Sequence, residues 1–159
     1  MSFRPGNSPM LHVALWEPQI PPNTGNIARL CAATGARLHL IGKLGFRIDE
    51  AAVRRAGLDY WPHVDLVQHA TWNDFTASVS GGIWLIDNPA PLRYTEAAFR
   101  DGDALVFGGE KKGLPEELRA EFATRLLAIP MPTGKVRSLN LGTAAGIALY
   151  EAYRQIGIA

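Results

Sequence analysis

The chain has 159 residues with 16 Lys and Arg against 15 Asp and Glu, a formal net charge of +1. That length suits a single domain, residues 1–159, at about 150 residues per domain. Hydrophobic residues make up 47% and charged residues 19%, which excludes disorder as the main state and a tail-driven polycationic binder, but not a local basic patch. One cysteine, Cys31, excludes an internal disulfide and argues against a zinc site, so a reduced, cytoplasmic setting is expected. Residues 1–10 read as a flexible tail without the apolar core of a signal peptide, and no apolar run reaches the ~20 residues that span a bilayer.

In chain order, six apolar runs read as strands: Leu11–Trp16, Arg37–Ile41, Val64–Val67, Gly82–Ile86, Ala104–Phe107 and Arg125–Ile129. Helices are expected at Gly25–Thr34, Asp49–Ala56, Trp72–Val79, Pro115–Phe122 and about Leu141–Gln155. The alternation predicts an α/β fold with a mainly parallel six-stranded sheet covered by helices on both faces.

Several common sites are missing. No G-x-G-x-x-G follows the first strand. Gly134-Lys135 fails as a P-loop, because Val136 replaces the Ser/Thr and Ile129 the first Gly. His12, His39, His63 and His69 show no metal-ligand spacing and read as ordinary surface or packed histidines, so no metal is expected.

Three irregular segments remain. Glu17 to Arg29 follows the first strand, with Asn23 and Thr24 as helix-capping residues and Arg29 about one and a half turns in. Donors gathered at such a helix start suit an anion. Val106 to Pro115 leaves a strand through three glycines and carries Glu110, placed to orient a hydroxyl or pair with an arginine. Ile129 to Gly146 is a long loop in which Ser138 and Asn140 lead into an Ala/Gly-rich helix. Each segment also reads as plain structure: a capped helix, a glycine turn with a solvated tip, and a close-packed helix.

Together the three segments resemble the signature motifs of the SPOUT superfamily of RNA methyltransferases. The nearest pattern is that of small single-domain bacterial tRNA 2′-O-methyltransferases acting on cytidine or uridine at position 34. The matching phrases are Glu-Pro-Gln-Ile-Pro-Pro-Asn-Thr-Gly-Asn-Ile from Glu17, Arg-Leu-Cys-Ala from Arg29 and Arg-Arg-Ala-Gly-Leu-Asp-Tyr from Arg54. Phe-Gly-Gly-Glu-Lys-Lys-Gly-Leu-Pro from Phe107, Ile-Pro-Met from Ile129 and the stretch from Tyr150 to Gln155 match as well. The likeness runs over about residues 11–157. It departs at Asp87-Asn88-Pro89, at a Pro132–Val136 loop about one residue longer than the family pattern, and at Gly142-Thr143.

The resemblance implies a C-terminal deep trefoil knot, which general topology rules would argue against. It implies S-adenosyl-L-methionine as cofactor, with S-adenosyl-L-homocysteine as product, held by Ile86, Gly108, Gly109, Ile129, Met131, Ser138 and Leu139. Carried over by position, Arg29, Asn23, Glu110, Ser138, Asn140 and Tyr150 form the catalytic set. Arg29 would position ribose or phosphate, Glu110 would orient Arg29 or the substrate, and Tyr150 would lie near a homodimer interface. The implied partners are the tRNA anticodon stem-loop and a second copy of the chain, with no membrane. Arg4, Lys43, Arg47, Arg54, Arg55, Lys111, Lys112, Lys135 and Arg137 are candidates for phosphate contact, and Trp61 for base stacking. Rival readings are a related enzyme acting at another tRNA or rRNA site, a silent RNA or cofactor binder, and a flavodoxin-like binding protein.

Overall fold

The structure, a computed structural model, describes residues 10–48 and 61–157. The expectations for residues 1–9, for the helix at Asp49–Ala56 and for Arg4, Arg54, Arg55 and the Trp61 side chain lie outside the described residues.

The described strands are β1 (His12–Trp16), β2 (Arg37–Ile41), β3 (Leu66–His69), β4 (Ile83–Ile86), β5 (Leu92–Arg93), β6 (Ala104–Phe107) and β7 (Leu126–Ala128). They form one sheet in the order β3-β2-β1-β6-β4-β7-β5, and every pairing is parallel. The described helices are α1 (Pro21–Thr34), α2 (Trp72–Ala77), α3 (Glu116–Glu121) and α4 (Leu141–Ile156).

Seven strands replace the six expected. The additional one, β5, has two residues at the sheet edge, pairing Leu92 with Leu127 and Arg93 with Ala128. So short an edge piece buries little and leaves no apolar run to read. The third strand lies two residues later than expected, because its register with β2 sets Leu38 opposite Leu66 and Ile41 opposite His69.

The largest correction concerns α1. It begins at Pro21, with Ile20 as N-cap and no side chain capping it. Pro21 and Pro22 lack an N–H, which the first helical turn leaves unbonded in any case. Asn23 and Thr24 are therefore buried helix residues rather than caps. At the other end Pro115 is the N-cap of α3, one residue before the helix proper, while Asn140 caps α4 by accepting from Thr143 N at 3.2 Å.

Strand residues alternate between two cores. Leu11, Val13, Leu15, Leu38 and Leu40 face α1 and α4, while Ala14, Ile41, Leu85 and Val106 face Phe75 of α2 and Leu118 of α3. Burial on both faces is why these strands read as continuous apolar runs. Ala145, Ala148 and Ala152 are fully buried, which lets α4 sit close to its neighbours, and Tyr153 Oη donates to Thr34 O at 3.3 Å. With all strands parallel, the loops after β4, β6 and β7 leave from the same edge of the sheet. In open α/β sheets ligands bind at that edge.

Candidate active site

A cavity of about 710 Å³ opens at this edge, a volume that suits a small organic ligand. Its walls come from residues 86–89 after β4, 107–114 after β6 and 137–141 leading into α4, with Asn23 from α1.

The turn after β6 owes its shape to its glycines. A Cβ on Gly108 would lie 2.3 Å from the Gly113 carbonyl carbon, and one on Gly109 would lie 2.7 Å from Glu17 O. No side chain fits at either position. The close approach is to the protein's own backbone, which brings the turn hard against the start of the Glu17–Asn23 segment.

That approach delivers Glu110. Its carboxylate accepts from Gln19 N at 2.8 Å, Ile20 N at 3.2 Å and Asn23 Nδ2 at 3.4 Å. The anion expected at the start of α1 is thus Glu110 itself, which binds the N–H groups of Gln19 and Ile20 just ahead of the helix and lies at the positive end of its dipole. It does not orient Arg29 in this structure. Asn23 Oδ1 in turn accepts from Asn140 Nδ2 at 3.0 Å, and Asn140 Oδ1 caps α4. Glu110, Asn23 and Asn140, one from each segment singled out in the sequence, form a continuous polar chain along the cavity wall.

Of the remaining expected residues, Ile86, Gly108, Gly109, Ile129, Ser138 and Leu139 line the cavity, and Met131 does not. Arg29 and Tyr150 also lie outside its lining. Arg29 is exposed on α1, six residues past Asn23 and so about 9 Å along the axis. Tyr150 is 50% exposed on α4. Sequence reading passed over Asp87, Asn88 and Arg119 as site residues, and all three line the cavity. The departure at Asp87-Asn88-Pro89 hinted at the first two, and nothing in the sequence hinted at Arg119.

The histidines hold a second surprise. His12 Nδ1 and His39 Nε2 lie 2.8 Å apart, as do His39 Nδ1 and His69 Nε2. The three rings cross β1, β2 and β3 away from the cavity. Burial first, then the charges of His12, His69 and Arg37, pushes the His39 imidazole down to about 3. Burial likewise pushes the Cys31 thiol up to about 12, so it is no nucleophile near neutrality. Among the described residues no His, Cys, Asp and Glu cluster is arranged to hold a metal, and no helix is long and apolar enough to cross a membrane.

The profile of the SpoU rRNA Methylase family matches residues 10–150. The chain belongs to this family. Among its relatives, the tRNA (cytidine(34)-2'-O)-methyltransferase of Saccharophagus degradans is 46% identical over 153 residues, covering 94% of this chain and 98% of the relative. That of Methylovorus glucosotrophus is 43% identical over 148 residues, covering 92% and 96%. A solved structure concerned with 2-OH methylation of C/U34 on tRNA superposes with a TM-score of 0.83 at 50% identity, covering 92% of this chain and 96% of that one. The SpoU methyltransferase AviRb of Streptomyces viridochromogenes, solved with AdoMet, gives 0.77 at 26% identity, covering 95% and 62%.

SpoU methyltransferases depend on S-adenosyl-L-methionine, and the cavity fits that molecule. Ile86, Ile129 and Leu139 offer apolar surface to a purine, while the exposed Glu116 carboxylate suits a ligand that carries positive charge.

Proposed function

We propose that this chain methylates the ribose 2′-hydroxyl of nucleotide 34, cytidine or uridine, in the tRNA anticodon loop. What carries the reading is the Glu110–Asn23–Asn140 chain, which joins the three motifs at one cavity, in a protein whose relatives at 43–46% identity bear that activity in their names.

S-adenosyl-L-methionine supplies an electrophilic methyl group. The protein's task is then mainly to hold acceptor and donor in line. Glu110 fixes the start of α1, which fixes Asn23. Asn140, tied to Asn23, anchors residues 137–141 over the cavity. Asn23, Ser138 and Asn140 orient the ribose and the cofactor's polar groups. Arg29 stays charged and makes a poor base, so its role is to bind the ribose-phosphate backbone from the exposed face of α1. Lys111, Lys112 and Arg137 line the cavity mouth and add phosphate contacts, which makes affinity salt-sensitive.

The same proposal includes a cytoplasmic homodimer with the exposed Tyr150 at the interface, and residues 129–157 threaded as a deep trefoil knot. Two features support the threading. β4 is paired between β6 and β7, and Asn88 Nδ2 donates to Ile129 O at 3.2 Å, fastening the β4 loop to the C-terminal segment.

The test incubates the protein with labelled S-adenosyl-L-methionine and tRNA from a strain lacking this modification, then maps the methyl group by nucleoside mass spectrometry. A 2′-O-methyl mark confined to position 34 and lost in Arg29→Ala is expected. Methylation at another tRNA site or in rRNA overturns the substrate assignment. Cofactor binding without transfer to any RNA overturns the enzymatic reading.

A further inference from the structure

The part of the cavity lining formed by the loop after β4 is held by a separate device. The Arg119 guanidinium, on α3, points back to the loop after β4. Its Nη1 donates to Asp87 Oδ2 at 2.5 Å and its Nη2 to Pro89 O at 2.7 Å. The two donors grip both ends of a three-residue stretch. The ion pair is largely sheltered, with the Arg119 side chain 16% and the Asp87 side chain 26% exposed. Sheltered, fork-shaped arginine contacts hold geometry far better than exposed pairs do.

Between the two gripped residues sits Asn88. Its backbone N–H donates to Asp87 Oδ1 at 3.0 Å, and its carboxamide Nδ2 donates to Ile129 O at 3.2 Å. Asp87 N is held at 2.9 Å by Leu127 O, the residue before β7 ends. Arg119 has a firm base from which to act, because Leu114 and Leu118 of the same region are buried in the second core. Force is therefore passed from α3 through the β4 loop to the backbone of Ile129, where the loop after β7 begins.

We propose that Arg119 is a positioning residue for the cofactor: through Asp87 and Pro89 it sets Asn88, and Asn88 sets the Ile129 wall of the cavity. The inference rests on the methyl-transfer reading for the identity of the ligand. It assigns a function to the Asp87-Asn88-Pro89 loop that the motifs leave unexplained. A simple brace between α3 and the sheet would predict something else: lower stability with unchanged cofactor affinity.

Isothermal titration with S-adenosyl-L-methionine and with S-adenosyl-L-homocysteine, without RNA, separates these outcomes. Arg119→Gln is expected to weaken both ligands roughly tenfold. Arg119→Lys keeps the charge but not the fork, and recovers part of the affinity. In turnover, KM for the cofactor rises while kcat and KM for tRNA change little. Asn88→Ala weakens binding in the same direction. The Arg119→Gln/Asn88→Ala double variant loses no more than the worse single variant, since both act through one contact. Unchanged affinity in Arg119→Gln, or losses that multiply in the double variant, overturns the inference and leaves the methyl-transfer reading intact. Failure of the parent protein to bind either ligand overturns both.

Discussion

Two three-residue polar chains run through this molecule, and they serve opposite ends. His12, His39 and His69 are linked by two contacts of 2.8 Å across neighbouring strands. Glu110, Asn23 and Asn140 are linked by contacts of 3.4 and 3.0 Å, between residues 87 and 117 positions apart in sequence. The histidine row runs diagonally over one face of neighbouring strands, each ring two residues out of register with the next, and its central ring is fully buried. The Glu110 chain lies at the open edge of the sheet and exists only because the turn after β6, the start of α1 and the cap of α4 meet there. Buried polar groups must be paired in either place. In the first the pairing stabilises a layer of the fold; in the second it assembles a site.

Breaking the second chain at its root should have the largest effect. Gly108→Ala forces a Cβ to within 2.3 Å of the Gly113 carbonyl carbon and displaces the turn that carries Glu110. A loss of about 3 kcal/mol or more is expected, with methyl transfer abolished, measured by denaturant titration and the tRNA assay.

Removing only the carboxylate, Glu110→Ala, leaves Gln19 N and Ile20 N without their partner. The expected stability loss is about 2 kcal/mol, and transfer falls roughly a hundredfold as Asn23 loses its hold. A full-rate Glu110→Ala protein would mean that the chain is structural like the histidine row.

The histidine row is distinguished by pH. His39 is depressed from 6.5 to about 3, so below about pH 6.5 the unfolded ring takes up a proton that the folded one refuses. Stability is complete above that value and falls as pH drops, by about 2 kcal/mol between pH 7 and pH 5 from this residue. His69, also lowered by burial and opposed by the Asp74 charge, acts in the same sense. Thermal melts across this range should show the slope, and His39→Gln should flatten it. The smallest effect is expected at Val136, 57% exposed in the loop before α4, where Val136→Ser should change stability by no more than about 0.5 kcal/mol.

How much of this was legible in the sequence followed from how local each feature is. Strands buried on both faces announce themselves as apolar runs, so all but β5 were readable. The motif residues Asn23, Glu110, Ser138 and Asn140 were found, and they do converge on the cavity. Their contacts were not legible. Local capping rules favour Asn23 and Thr24 at a helix start, yet two prolines open the helix earlier and a carboxylate 87 residues away claims Asn23. The histidines looked unrelated because ligand spacing is judged along one element, whereas these three are neighbours across three strands. Asp87 and Arg119, 32 positions apart, carried no local signal of their pairing.

The middle ring of the histidine row has both nitrogens engaged by other imidazoles. A neutral imidazole donates from one nitrogen and accepts at the other. Once His39 donates towards His69 it must accept from His12, and the reverse holds equally. The row thus has a direction, shared by all three rings, and it reverses only if all three change tautomer: the two bridging protons cross, His12 gains a proton on Nε2 and His69 loses one from Nδ1. Replacing His69 by a residue that can only accept, or only donate, would dictate which tautomer His12 adopts two strands away, with no shift in the backbone between them.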